Sequence, residues 1–302
     1  MSSARSRSPT WSPTSSTQPP AKELVELRLL PADFPVRVDA FACDLDRTLI
    51  AEDGVLRPRT IAAIRAVRER GIHVLLVTGR MFRSALPYAL TAGIEEPLVC
   101  YQGAVVADPT SGEFLRHEPI PLELAREAIE AVQSEGFRLN CYVEDDLYVA
   151  EVTENARAYA DFQHIPITAV GDLLGWLVRP PTKLVAVDDP AALDGLKAVL
   201  VERFAGRLFI AKSLPYFLEL ASPAVSKGNG LAFLATHLGF AAEHTVAFGD
   251  GENDLELLDW AGYAVSVENA DDELKARSDW ICPGVAEEGV AQALEAFLDS
   301  AP

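Results

Sequence analysis

At 302 residues the chain has room for two domains with separate cores, and 49% hydrophobic with 8% aromatic residues is the composition of a folded globular protein. Its net charge of −19 argues against a nucleic-acid partner, which needs a basic surface to release counterions. Four dispersed cysteines without a C-x-x-C pair argue against zinc and for reduced thiols in a cytoplasmic protein. No apolar run approaches the roughly 18 residues of a bilayer span, so no membrane partner is expected.

The first twenty residues are mostly Ser, Thr and Pro, and residues 1–35 read as a disordered tail without an apolar signal region. Residues 36–44 then form an apolar run of the kind a buried parallel strand makes. A helix is predicted over 58–70, with Pro58 at its start and Gly71 just past its end. A short strand over 73–77, a helix from about Met81 and a strand over 98–101 follow. This βαβα alternation implies a doubly wound, mostly parallel, Rossmann-like α/β sheet.

After Gln102-Gly-Ala the texture changes. Strands are predicted near 114–117, 138–143, 147–150, 184–187, 208–210 and 217–220, with helices over 121–134, 154–162 and 191–204. A stretch of this length inside a compact domain reads as an inserted α+β domain. The βα rhythm returns with a helix over 227–238, a strand over 245–248 and a helix over 252–258. Strands at 263–267 and 280–282 and a last helix over 287–298 complete it. The expected layout is a discontinuous core, 36–107 and 221–302, interrupted by a cap over 108–220.

Chemistry-bearing residues gather at the junctions of these elements. Asp44 and Asp46 follow the first strand, where open α/β sheets bind their ligands. Thr78-Gly79-Arg80 follows the second strand, and the helix beyond it offers unpaired N–H groups to an anion. Lys227, in Ser226-Lys-Gly, opens a helix whose positive end disfavours it, as expected of a cation facing concentrated negative charge. Asp250 and Asp254, in Gly249-Asp-Gly-Glu-Asn-Asp, close another apolar strand. Four carboxylates sharing one crevice would repel by roughly 4 kcal/mol per pair at 4 Å and an effective dielectric near 20, so a divalent cation is required. Oxygen ligands without His or Cys favour Mg²⁺, Ca²⁺ or Mn²⁺ over zinc.

The four fragments, in this order, resemble the motifs of the haloacid dehalogenase (HAD) superfamily, in its Cof-type, cap-bearing subclass IIB, across about residues 36–300. The resemblance implies a C2B cap and a Mg²⁺-dependent phosphatase of small phosphorylated metabolites. It implies Asp44 as nucleophile forming an aspartyl-phosphate, Asp46 as general acid and base, and Thr78 and Lys227 stabilising the phosphoryl oxygens. Mg²⁺ would be held by Asp44, the Asp46 backbone carbonyl and Asp250. Asp254 would support Lys227 or metal-bound water, while Asn253, Gly79 and Arg80 would contact substrate.

Arg47 stands where the family has Gly, either pointing away or meeting a second anionic group on the substrate. Tyr101-Gln102-Gly-Ala also departs from the family's Asn-Gly-Ala. Sugar phosphates lead the expected substrates, with pyridoxal phosphate or a flavin mononucleotide behind them. The acidic run Glu144–Asp146 reads either as a contact for sugar hydroxyls or as a solvated loop. The rivals are a phosphotransferase or mutase of the same superfamily, and a receiver-like signalling module phosphorylated on Asp44. The oligomeric state is not legible.

Overall fold

A computed structural model describes residues 30–300. The tail reading falls mostly on 1–29, outside the described residues. Phe34, which that reading included, instead packs edge-on against Tyr263 and Trp280.

Strand β1 (Ala40–Cys43) is followed by helix α1 (Pro58–Glu69), β2 (His73–Leu76), α2 (Phe82–Ala92) and β3 (Leu98–Cys100). The first strand is shorter than its apolar run suggests: Val36 is exposed, and pairing begins only past the Arg37–Asp39 ion pair. Two strands, β4 (Val105–Ala107) and β5 (Phe114–His117), then make an antiparallel meander with β3. β5 therefore pairs on the core side, although its sequence position placed it in the insertion.

The insertion proper carries α3 (Leu122–Ser134), β6 (Leu139–Val143), β7 (Asp146–Val149), α4 (Glu154–Gln163), β8 (Ile167–Ala169) and the single turn α5 (Leu173–Trp176). It continues through β9 (Lys183–Val187), α6 (Pro190–Phe204), β10 (Phe209–Leu214) and β11 (Phe217–Ala221). Its six strands run in the order β10-β11-β9-β6-β7-β8, antiparallel except for the β7–β8 pair. Side chains alternate across this sheet as the pleat requires. Leu139, Cys141, Leu184, Ala186, Leu218 and Leu220 join a core with the helices of the insertion. Tyr142, Val185 and Ala221 face the other way and join the core of the main domain.

The chain returns through α7 (Lys227–Leu238), β12 (Thr245–Gly249), α8 (Leu255–Trp260), β13 (Tyr263–Val267), α9 (Asp272–Ala276), β14 (Trp280–Cys282) and α10 (Gly289–Ser300). The core sheet runs β14-β13-β12-β1-β2, parallel throughout, and a Val77–Val99 bridge extends it towards β3. α1 packs on α10, and α7 on α8. The expected doubly wound α/β core with an α+β insertion is the fold observed. The predicted helix over 252–258 is a 3₁₀ turn, Glu252–Asp254, leading into α8, because Asp254 turns its side chain inward. Among the described residues, no helix is long and apolar enough to cross a membrane.

Candidate active site

Parallel pairing decides which groups meet. Cys43 of β1 lies opposite Phe248 of β12, so Asp44 and Asp250 leave the sheet side by side at the carboxyl ends of neighbouring strands. The Asp44 N–H donates to the Phe248 carbonyl at 3.0 Å, which fixes where its side chain starts.

Lys227 reaches this point from the start of α7. Its Nζ donates to Asp44 Oδ1 at 2.5 Å and Asp254 Oδ1 at 2.6 Å, and its side chain is 0% exposed. Asp254 Oδ2 accepts the backbone N–H groups of Asp250 (3.0 Å) and Gly251 (3.1 Å). Asp254 thus orients Lys227 through one oxygen and the Asp250 turn through the other. Gly249 permits this packing, since a Cβ there would lie 2.6 Å from the Asp254 Cβ.

The electrostatics follow from burial. Desolvation pushes the Asp44 carboxyl well above its ordinary range; Lys227 pulls it back, while Asp254, Asp250 and Asp46 push it further up. Asp250 is raised to about 7, chiefly by burial and by the Asp254 charge, against Arg47 and Lys227. Burial opposes the Lys227 charge, yet Asp254 and Asp44 outweigh it and hold the ammonium above its usual range.

Ligand oxygens of Asp44, Asp250 and Asp254 lie within 4.8 Å of one another. Asp44 and Asp250 line the cavity, whereas Asp254 is wholly buried, so the first two are the carboxylates open to a cation entering it. An all-oxygen set carrying excess negative charge fits a hard divalent ion, and such an ion would relieve the strain that burial places on both carboxylates.

Asp46 points elsewhere. Arg80 Nε and Nη2 grip its two oxygens at 2.8 and 2.7 Å, a bidentate fork. The Arg80 guanidinium is itself held by Ser84 (3.3 Å) and packs on the rings of Tyr88 and Phe162 at 5.2 and 5.5 Å. Thr78 is buried, and its Oγ1 accepts the Arg80 N–H at 3.1 Å. A Cβ on Gly79 would meet Gln102 Nε2 at 2.4 Å, so a side chain there would displace the Gln102 amide from its bonds to Glu219 and Asn253.

Arg47 lies at the site and does not turn away from it. It adopts φ +62°, a left-handed conformation that costs a non-glycine residue of order 1 kcal/mol. Its Nε sits 3.3 Å from Asp250 Oδ2, and Nη2 donates to the Asn269 carbonyl at 3.1 Å. Asn269 Nδ2 donates back to the Arg47 carbonyl at 2.8 Å.

Asp44, Asp46, Arg47, Gly79, Arg80, Asp250 and Asn253 line one cavity of about 300 Å³, while Thr78, Lys227 and Asp254 are buried. The other wall comes from the insertion. Lys183, on β9, donates to the Gly79 carbonyl (3.0 Å) and pairs with the buried Glu219 of β11 (3.1 Å). Gln102, at φ +59°, bridges the two domains, with its Nε2 reaching Glu219 at 3.3 Å and its Oε1 accepting from Asn253 at 3.1 Å.

Asp145 does not face this cavity. It accepts the Phe82 and Arg83 N–H groups at the start of α2 (3.1 and 2.9 Å) and the Tyr101 hydroxyl (2.8 Å). Glu144 pairs with Arg179, and Asp146 with Arg83. The acidic run is therefore neither a sugar contact nor a loop wholly in solvent: its middle residue satisfies a helix start across the domain boundary. Lys183, Glu219 and Asn269 carried one faint signal, a charged or amide residue within or beside an apolar strand.

Residues 41–294 match the family of haloacid dehalogenase-like hydrolases, and the chain belongs to it. It is 28% identical over 265 residues to the Bacillus subtilis 5-amino-6-(5-phospho-D-ribitylamino)uracil phosphatase YitU, covering 85% of this chain and 96% of that one. It is 27% identical to the Escherichia coli pyridoxal phosphate phosphatase YbhA, over 85% and 97% of the two chains. The crystal structure of Thermotoga maritima TM0651 superposes with a TM-score of 0.74 at 31% identity, covering 85% of this chain and 97% of that one.

Proposed function

We propose that this hydrolase is a Mg²⁺-dependent phosphatase of small phosphate monoesters, working in the cytoplasm through an aspartyl-phosphate. The carrying observation is the pair Asp44 and Asp250 at adjacent strand ends, with the fully buried Lys227 linking Asp44 to Asp254. The names of the two phosphatases above support hydrolysis over transfer to a second substrate.

Asp44 attacks phosphorus, and the bond to the leaving oxygen breaks as Asp46 supplies its proton. Asp46 then takes a proton from water, which attacks the phosphoryl-aspartate and releases inorganic phosphate. Arg80 orients Asp46 and has to release one of its oxygens for that oxygen to carry the proton, while Thr78 and Lys227 offset charge on the phosphoryl oxygens. Asn253 contacts a phosphoryl oxygen or metal-bound water. Asp44, the Asp46 carbonyl and Asp250 would hold Mg²⁺, which supplies further charge neutralisation. The insertion acts as the cap that covers the leaving group. Sugar phosphates, pyridoxal phosphate and a flavin mononucleotide are the candidate esters.

Metal removal tests this reading. Chelation should abolish turnover of p-nitrophenyl phosphate, and added Mg²⁺ should restore it and raise the melting temperature. Turnover indifferent to chelation would end the metal assignment. Stable phosphorylation without turnover would favour the signalling module.

Arg47, partly exposed and held beside Asp250, is proposed to meet a second anionic group on the substrate. Arg47→Gly suits the left-handed backbone. It should lower kcat/KM for a bis-anionic ester about tenfold more than for a mono-anionic one. Equal losses on both esters would refute the role.

A further inference from the structure

We infer that the leaving group of the substrate is a planar aromatic or heteroaromatic ring on a short arm, packed against a wall made by Phe162 and Phe217. This rests on the phosphatase reading above and narrows its substrate class.

Phe162 comes from the last turn of α4 and Phe217 opens β11. Their ring centroids are 5.8 Å apart at 54°, so they touch and form one surface. Phe217 is braced from behind by the buried Tyr159 ring, edge-on at 4.8 Å, whose hydroxyl meets that of Tyr142 at 2.5 Å. Phe162 lies over the Arg80 guanidinium that grips Asp46. The wall thus begins beside the group proposed to protonate the leaving oxygen, which leaves space for only a short arm. Both rings are half-buried and line the same cavity as Asp44, as does the half-buried Leu214. Apolar rings held half-open in a cleft gain by being covered, and an aromatic partner covers them best.

The polar side chains around the wall tell the same story by being engaged. Glu219 already accepts from Lys183, Ser213 (2.7 Å) and Gln102. Lys212 is drawn away to Asp194 (2.5 Å) and to the Pro190 carbonyl (3.2 Å). The Ser84 hydroxyl donates to the Gln163 backbone carbonyl at 2.7 Å and lies 3.3 Å from its side-chain oxygen. A sugar ring would have to break these bonds to satisfy its hydroxyls, and at the buried Glu219 and Gln163 each one broken leaves a buried polar group without its partner. A planar ring asks for none of them. Among the candidate esters this favours those of ring alcohols over sugar phosphates.

The test compares kcat/KM for pyridoxal 5′-phosphate, glucose 6-phosphate and acetyl phosphate with Mg²⁺ present. The native enzyme should favour the pyridoxal ester over the glucose ester by about tenfold or more. In Phe162→Ala and Phe217→Leu, the ratio of pyridoxal ester to acetyl phosphate should fall about tenfold, chiefly through KM. Thermal melting of both variants checks that the fold survives, and Phe217→Leu keeps most of the buried volume should Phe162→Ala not fold. A preference for glucose 6-phosphate, or variant losses equal across all three esters, would overturn the assignment. Failure of the native enzyme to turn over any of the three with Mg²⁺ present would instead overturn the phosphatase reading beneath it.

Discussion

Asp44→Asn should reduce phosphate-monoester turnover by about 10⁴-fold or more while leaving the protein folded. The amide has the same shape and keeps an oxygen for the Lys227 Nζ, but it cannot form the acyl phosphate. The sign of the stability effect is also set. Burial and three neighbouring acids hold the Asp44 carboxyl above its ordinary range, so a neutral isostere relieves repulsion, and Lys227 keeps Asp254 as its counterion. The melting temperature of the metal-free variant should therefore equal or exceed that of the native protein. Turnover with p-nitrophenyl phosphate and a thermal scan measure the two effects. Substantial Mg²⁺-dependent turnover in the variant would remove Asp44 from the nucleophile's place.

Lys227→Met should have the opposite profile, losing activity and stability together. The side chain is wholly buried between two carboxylates, and removing one partner of a buried ion pair costs about 3–5 kcal/mol. For a chain of this size that corresponds to a fall of roughly 6–20 °C in melting temperature. If the single variant is too unstable to purify, Lys227→Met with Asp254→Asn provides the check. Neutralising Asp254 should return part of the lost stability without returning activity, and the non-additivity measures the pairing. A melting temperature within a degree of native would mean the ion pairs contribute little.

How much of this was legible depended on how far apart in sequence the contacting groups lie. Strand-end aspartates are readable because the apolar run announces the strand and the acid terminates it. The parallel order of β1 and β12 then places Asp44 beside Asp250 from more than two hundred residues away. Arg47 could be flagged but not oriented, since its direction is settled by Asn269 on the far side of the sheet's loops. The face taken by Glu219 depends on pleat parity: with Leu218 and Leu220 packed under the helices of the insertion, Glu219 must face the cavity. A shift of one residue would have hidden it. The β4 strand and the pairing of β5 escaped because antiparallel segments of three and four residues carry too little periodicity to read. Asp145 stood out only as part of an acidic run, and its role was hidden because its partner is the start of a helix and not a side chain with a complementary charge.

The bonds that tie the insertion to the turn after β2 bear on traffic through the site. Asp145 on the start of α2, Lys183 on the Gly79 carbonyl and Gln102 on Glu219 would all have to part before the two domains could swing open. Each hydrogen bond contributes about 1 kcal/mol net, so wide opening is a rare excursion compared with diffusion through the standing mouth, where Arg47 and Asp46 are partly exposed. The mouth would then sieve substrates as well as admit them: a free phosphate monoester should be turned over far faster than a phosphorylated side chain on a folded protein, and equal rates for the two would mean that the domains part readily.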